Sequence, residues 1–313
     1  MGPMSNTAKT AFLFPGQGSQ FPGMGKSLAD AYPIARRTFE EADEALGFRL
    51  SSLCFEGPED QLKLTENTQP ALVAVSTAAF RVLQEKGLTP DYVAGHSLGE
   101  YSALVAAGSL GFTDALRLVR KRGTYMQQAV PPGVGAMAAL LKLPEDKLAA
   151  VLAEAAQGEV VEAANLNSPD QLVISGNAAA VNRACELAKA AGARRAVLLP
   201  VSAPFHCSLM KPAQERLAAD LNATAFKDLE VPLVNNWQAR MVTSGNDARR
   251  GLFEQVPNPV RWAESVRLLG SLGVLRTIEA GAGSVLTGML RSIQPEIQGA
   301  KFGEATDWDK LSG

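Results

Sequence analysis

The chain has 313 residues, 46% of them hydrophobic, enough for one large or two smaller domains with a sizeable core, which excludes a disordered or fibrous protein. With 30 basic side chains against 32 acidic ones, a net charge of -2 and no basic cluster beyond Arg120 to Arg122, a nucleic-acid surface is not expected. The longest small or apolar run, Ala103 to Phe112, falls far short of the ~18 residues of a membrane span, and three scattered cysteines without a C-x-x-C pair exclude a disulfide framework or a structural zinc site, so a soluble, cytoplasmic protein is expected.

Residues 1 to 9 are polar and small and are left outside the predicted fold. Thr10 to Phe14 reads as a short buried strand, followed by the glycine-punctuated loop Pro15 to Gln20, helical patterns through Leu46 and a helix from Pro70 to Lys86. Tyr92 to Ala94 is the next strand, and a helix from about Leu98 to Ala107 follows at once. This alternation favours a parallel sheet with helices on its faces. A helix from about Thr113 to Val130 ends before Pro131-Pro132-Gly133, after which the elements become short: strand Ala136 to Leu141, helix Glu145 to Ala156, strand Val160 to Ala164, strand Leu172 to Ser175, helix Ala178 to Ala191, strand Ala196 to Leu199. That β-α-β-β-α-β order predicts an inserted ferredoxin-like small subdomain over residues 131–200, within a large subdomain made of 1–130 and 201–313. Past Pro232 the units lengthen again, with a strand at Val274 to Glu279 and the turn Gly281-Ala282-Gly283 opening a last helix.

Gly95-His96-Ser97-Leu98-Gly99 has the G-x-S-x-G form between a predicted strand and a predicted helix, the context a nucleophile elbow requires. Flanking glycines permit the sharp turn, and the helix N-terminus with the Leu98 N–H would face negative charge developing beside Ser97. A serine hydroxyl needs a base, and only two histidines exist. His96 and Ser97 point to opposite sides of an extended segment, so His96 is expected to pack beside the sheet, whereas His206, in the loop Ser202-Ala203-Pro204-Phe205-His206, can be presented to a cleft. Gln17 follows the first strand at the sheet edge where Ser97 lies, and its backbone could be half of an oxyanion hole. That loop lacks the spacing and the Lys-Ser/Thr of a phosphate-binding Walker motif. In the helix after Thr113, Ala115, Leu118, Val119, Arg122 and Met126 share one face, which puts Arg122 on the buried side. Its partner is either an internal acid or a ligand carboxylate or phosphate.

Phe14-Pro15-Gly16-Gln17-Gly18-Ser19-Gln20, Thr68-Gln69-Pro70-Ala71, Gly95-His96-Ser97-Leu98-Gly99-Glu100-Tyr101, Arg122-Gly123, Asn167-Ser168-Pro169, Pro204-Phe205-His206 and Asn258-Pro259-Val260 together resemble the malonyl-CoA:acyl carrier protein transacylases of fatty-acid synthesis and the related acyltransferase domains of polyketide synthases, over about Phe12 to Leu290. The resemblance implies an α/β-hydrolase-like large subdomain with a ferredoxin-like insertion. It implies that Ser97 is acylated by malonyl-CoA with His206 as base, that the amides of Gln17 and Leu98 form the oxyanion hole, and that Arg122 pairs with the malonyl carboxylate. It further implies that the main-chain carbonyl of Gln255 orients His206, that Phe205 narrows the pocket toward malonyl over methylmalonyl, and that acyl carrier protein takes the acyl group on its phosphopantetheine thiol with no metal or redox cofactor. Two other classes compete: a serine esterase or thioesterase, which would place an acid such as Asp114, Asp146 or Asp170 behind its histidine, and a non-catalytic scaffold, against which the presence of both Ser97 and His206 counts.

Overall fold

The computed structural model describes residues 8–201 and 203–312; most of the polar leading segment and Ser202 lie outside them. Two sheets carry the fold. Strands β1 (Lys9–Phe14), β2 (Tyr92–Gly95), β7 (Leu233–Val234), β8 (Met241–Val242), β9 (Val274–Ala280) and β10 (Gln298–Phe302) form one, in the order β10-β9-β1-β2-β7-β8. All its pairings are parallel except that of β8 with β7. β1 is central and buried from Ala11 to Phe14, which explains its unbroken apolar sequence: in a parallel sheet covered on both faces, neither side of the strand meets water.

Strands β3 (Gly135–Leu141), β4 (Val161–Ser168), β5 (Gln171–Asn177) and β6 (Arg195–Leu198) form the second, antiparallel sheet in the order β4-β5-β3-β6. Its first strand lies between the third and fourth, the ferredoxin-like order. The two faces divide by the strand period of two. Ala138 and Leu140 join Ile174, Val181 and Ala184 in a core under helices Leu148–Ala156 and Ala178–Ala190, while Met137, Ala139 and Val173 point the other way into the principal core. Main-chain bonds from Leu166 to the Val260 carbonyl and from Val260 to the Ala164 carbonyl, each 2.9 Å, tie β4 to the segment after helix Gly245–Gln255.

Three expectations need correction. The helix expected from Pro70 begins at Thr65 and carries Pro70 inside it (Thr65–Glu85). Its first turn is held against helix Phe112–Gln128, where Gly123 lets the Thr65 carbonyl and Glu66 approach too closely for any side chain, so tertiary packing overrides the proline as a boundary. The helix opened by Gly281-Ala282-Gly283, Val285–Ile293, is not the last element, since β10 returns parallel to β9 and a helix Trp308–Ser312 follows. The first turn of the expected helix from Glu145 is 3-10 as far as Lys147, with the α-helix starting at Leu148.

Candidate active site

Parallel pairing puts the ends of β1 and β2 at one edge of the sheet: Phe14 is in register with Gly95, so the loops bearing Gln17 and Ser97 emerge side by side. The chain then reverses into helix Gly99–Ala106 through a Ser97 held at φ 51°, a left-handed conformation unfavourable to a residue with a Cβ. Close packing enforces it. A Cβ on Gly99 would lie 2.1 Å from the Phe14 carbonyl oxygen and one on Gly95 would lie 1.9 Å from the Gly99 oxygen, so only glycine lets the helix press on the strand this tightly.

The Ser97 hydroxyl donates to His206 Nε2 at 2.7 Å. The other ring nitrogen, Nδ1, is 3.0 Å from the main-chain carbonyl of Gln255, and a carbonyl can only accept, so Nδ1 carries the proton and Nε2 presents its lone pair to the serine. Burial, and then the positive charge of Arg122, pull the His206 imidazole down to about 3, which keeps it neutral, with the Nε2 lone pair unprotonated, at ordinary pH. His206 is itself at φ 59°. Asp114 and Asp146 face neighbouring Arg117 and Lys147, and the imidazole nitrogen that an acid would occupy in an esterase triad is taken by the Gln255 carbonyl.

Arg122 is buried, as its place in the helix pattern predicts. Its guanidinium donates to Gln69 Oε1 at 2.9 Å, to Gln255 Oε1 at 2.9 Å and to Ser97 Oγ at 3.2 Å, and the Tyr101 ring lies 5.7 Å away. Among the described residues it has no acidic ion-pair partner, and its Nε–H has no acceptor. An arginine charge left unneutralised beside the nucleophile is costly unless an anion completes it.

Ser97, His206, Arg122 and Gln69 line a cavity of about 110 Å³ with Gln17, Leu98, Met126, Met137 and Phe205. The N–H groups of Gln17 and Leu98 engage no other protein group among the described residues. An adjoining cleft of about 290 Å³ shares Gln17, His96, Asn165 and Leu199 with the cavity and runs out between the first loop and helix Val285–Ile293. His96 is turned away from the nucleophile: its Nε2 is 2.8 Å from Asn167 Oδ1 and its ring meets Trp262 edge-on.

Sequence reasoning passed over the shell behind the elbow. Asn236 Oδ1 accepts from the Ser97 N–H at 2.6 Å while its amide nitrogen donates to the Gly95 carbonyl at 2.7 Å. Glu100, buried under the first turn of helix Gly99–Ala106, accepts from the Asn236 main chain and from Gln255 Nε2, both at 2.9 Å. Burial pushes the Glu100 carboxyl up to about 7 despite these bonds. Asn236 follows the short strand β7 at the same sheet edge as Ser97, a signal available only once that two-residue strand is recognised.

A family model described as an acyl transferase domain matches residues 11–300. The chain is 51% identical over 292 residues to the malonyl CoA-acyl carrier protein transacylase of Bacillus subtilis (strain 168), covering 93% of this chain and 92% of that protein, and 48% identical over 295 residues to the protein of the same name from Escherichia coli (strain K12), covering 94% and 96%. Among solved structures it is similar to an acyl carrier protein S-malonyltransferase from Vibrio cholerae, with a TM-score of 0.95 and 46% identity over 97% of this chain and 100% of that one. It is equally similar, at a TM-score of 0.95 and 45% identity over 97% and 98%, to a malonyl-transacylase solved with a type II PKS acyl-carrier protein.

Proposed function

Because this chain belongs to the acyl transferase domain family, among its malonyl CoA-acyl carrier protein transacylases, we propose that Ser97, His206, Gln255, Arg122, Phe205 and the amides of Gln17 and Leu98 carry its reaction. The enzyme transfers a malonyl group from malonyl-CoA to the phosphopantetheine thiol of acyl carrier protein through a covalent acyl-enzyme. In the first half, Ser97 Oγ attacks the thioester carbonyl carbon as its proton passes to His206 Nε2. The tetrahedral oxyanion takes hydrogen bonds from the Gln17 and Leu98 N–H groups, and collapse expels the coenzyme A sulfur, which leaves with the proton from His206. In the second half, His206 takes the proton of the carrier thiol, whose sulfur attacks the acyl-serine, and Ser97 recovers its proton as it departs. No electron is gained or lost, so the cycle as written needs no cofactor.

The observation that carries this reading is Arg122: a buried guanidinium without an acidic ion-pair partner among the described residues, 3.2 Å from the nucleophile oxygen. That is a receptor for an acyl group ending in a carboxylate, and a water-using esterase of neutral esters would have no use for it. Phe205, in the pocket wall just before the base, is the residue proposed to limit the α-substituent. Residues 131–200 are proposed as an inserted unit that roofs the pocket with Met137 and Leu199 over the catalytic unit of 1–130 and 201–313, and the adjoining cleft as the channel for the pantetheine arm. With all three cysteines free and buried, the cytoplasm is the proposed compartment.

Intact-mass measurement tests the assignment. After mixing with malonyl-CoA the wild-type protein is expected to gain one malonyl group and to lose it to holo acyl carrier protein. Ser97→Ala is expected to gain none. Arg122→Ala is expected to lose roughly 30- to several-thousand-fold in malonyl kcat/KM, corresponding to about 2 to 5 kcal/mol, while acetyl transfer falls much less. A normally labelled Ser97→Ala protein, or equal losses on both thioesters in a folded Arg122→Ala protein, would overturn it.

A further inference from the structure

The side chain of Gln255 is sandwiched between a cation and a group of oxygens. Its Oε1 accepts from Arg122 at 2.9 Å, while its Nε2 lies 2.9 Å from Glu100 Oε2, 3.0 Å from the Ser97 carbonyl and 3.4 Å from Asn236 Oδ1. Rotated by half a turn, the amide would set its oxygen against three oxygens and its NH2 against the guanidinium, so every contact would become repulsive. Of the three oxygens, only that of Glu100 belongs to an ionisable group. The same Glu100 Oε2 accepts from the Asn236 main chain, and Asn236 Oδ1 in turn accepts from the Ser97 N–H. The acid Glu100 and the cation Arg122 thus face one another across a single amide without touching. A direct pair would neutralise Arg122 and compete with an incoming carboxylate. With the amide interposed, the acid organises the base of the pocket and leaves the arginine charge for the ligand.

We propose that Glu100 is a positioning residue for acyl-group selectivity: by fixing the orientation of the Gln255 amide, it aims the Arg122 guanidinium at the substrate carboxylate beside Ser97. The proposal rests on the malonyl-transfer reading and adds to it a residue that touches no substrate. Glu100 Oε1 has no hydrogen-bond partner among the described residues and faces the small residue Gly251, so one oxygen only does the positioning. A glutamine there could present its own amide oxygen to Gln255 and Asn236 and reproduce those contacts; a leucine could not.

The test compares malonyl and acetyl transfer in Glu100→Leu, Glu100→Gln and Gln255→Met. Glu100→Leu is expected to raise the malonyl KM about 10-fold or more, with kcat and acetyl transfer falling much less, since loss of one bond to a charged network is worth about a factor of ten. Glu100→Gln is expected to restore most of the malonyl preference. Gln255→Met, which keeps the main-chain carbonyl on His206 but removes the amide, is expected to lose the preference to a similar degree, and adding Glu100→Leu to it should cost little more. Equal falls on both thioesters, no change in the malonyl-to-acetyl ratio, or additive losses in the double variant would overturn the proposal. If Glu100→Leu does not fold, a Gln255→Met protein that keeps the wild-type ratio overturns it alone. Failure of the wild-type protein itself to take malonyl in preference to acetyl would instead defeat the functional reading on which the proposal stands.

Discussion

Ser97 and His206 both adopt positive φ, at 51° and 59°, although neither is glycine. Such strain persists where surrounding contacts over-determine it, and here each residue is locked by its partners: Ser97 by Asn236 and the packed helix, His206 between Ser97 Oγ and the Gln255 carbonyl. The chemistry at this scale has a pH signature. Because burial and Arg122 hold the imidazole at about 3, the acylation rate should show no limb assignable to His206 between pH 5 and 8, and the base should be lost only as the pH falls toward 3. The Glu100 carboxyl, pushed up to about 7 by burial, does titrate in that range. The profile is therefore best measured by single-turnover mass labelling in both wild-type and Glu100→Gln proteins. An inflection near neutral pH that survives Glu100→Gln would belong to the imidazole and contradict its assignment as a neutral, ready base. Ser97, His206 and Arg122 were legible in the sequence because each leaves a local mark: a glycine-flanked turn, the scarcity of histidine, an arginine in an apolar stripe. Asn236 and the Gln255 side chain were not, because their partners lie 139 and 133 residues away and nothing in their own neighbourhoods records the bonds.

At the scale of elements, the elbow is a contact between β1, β2 and helix Gly99–Ala106 from which side chains are excluded. Gly99→Ala places a methyl 2.1 Å from the Phe14 carbonyl, and backbone cannot step aside as a flexible side chain can. The helix would have to lift off the strand, carrying the Leu98 N–H away from the serine. The expected result is a loss at or above the upper end of about 1 to 3 kcal/mol for overpacking, read as a lower urea midpoint, together with nearly complete loss of acylation. A Gly99→Ala protein with wild-type midpoint and labelling rate would show that the close approach is dispensable. Strand–turn–helix order and the ferredoxin-like unit could be read directly, since hydrophobic period and glycine placement are local. Strands β7 and β8 could not: at two residues each they have no period to detect, and they exist as strands only because β2 offers an edge to β7 and β7 in turn to β8. Pro70 misled in the opposite direction, because a local breaker was outweighed by the packing of Thr65 and Glu66 on Gly123.

Across the whole molecule, the antiparallel sheet meets the loop that carries His206 from three of its strands: Glu162 of β4 accepts from Ser208, Ser175 of β5 donates to Cys207, and β3 packs on Pro204. Gly135, at the start of β3, lies against Pro204, so that a Cβ there would be 2.3 Å from the proline Cγ and 2.4 Å from its Cδ. Pro204 is two residues before His206 in a short loop pinned by the Phe205 N–H on the Ala203 carbonyl and by Cys207 Sγ on the Pro204 carbonyl. To restore ordinary van der Waals separation, the strand or the proline must move by about 1 Å, since packed interiors transmit such shifts rather than absorb them. The imidazole is set by bonds of 2.7 Å and 3.0 Å on opposite sides and cannot follow the loop without lengthening one of them. A misplacement of about 1 Å in a reacting group can cost about 100-fold in rate, whereas one added methyl costs about 1 to 3 kcal/mol in stability. Gly135→Ala is therefore expected to remain folded while its acylation by malonyl-CoA slows on the order of 100-fold, with the malonyl-to-acetyl ratio kept because Arg122 and its partners Gln69, Ser97 and Gln255 lie outside the antiparallel sheet. Stopped-flow or quench-flow labelling with both thioesters, alongside urea denaturation, separates these terms. A Gly135→Ala protein that acylates at the wild-type rate would show that the contact of β3 with Pro204 does not hold His206 in place, and a changed acyl preference would show that its influence reaches past His206 to the arginine.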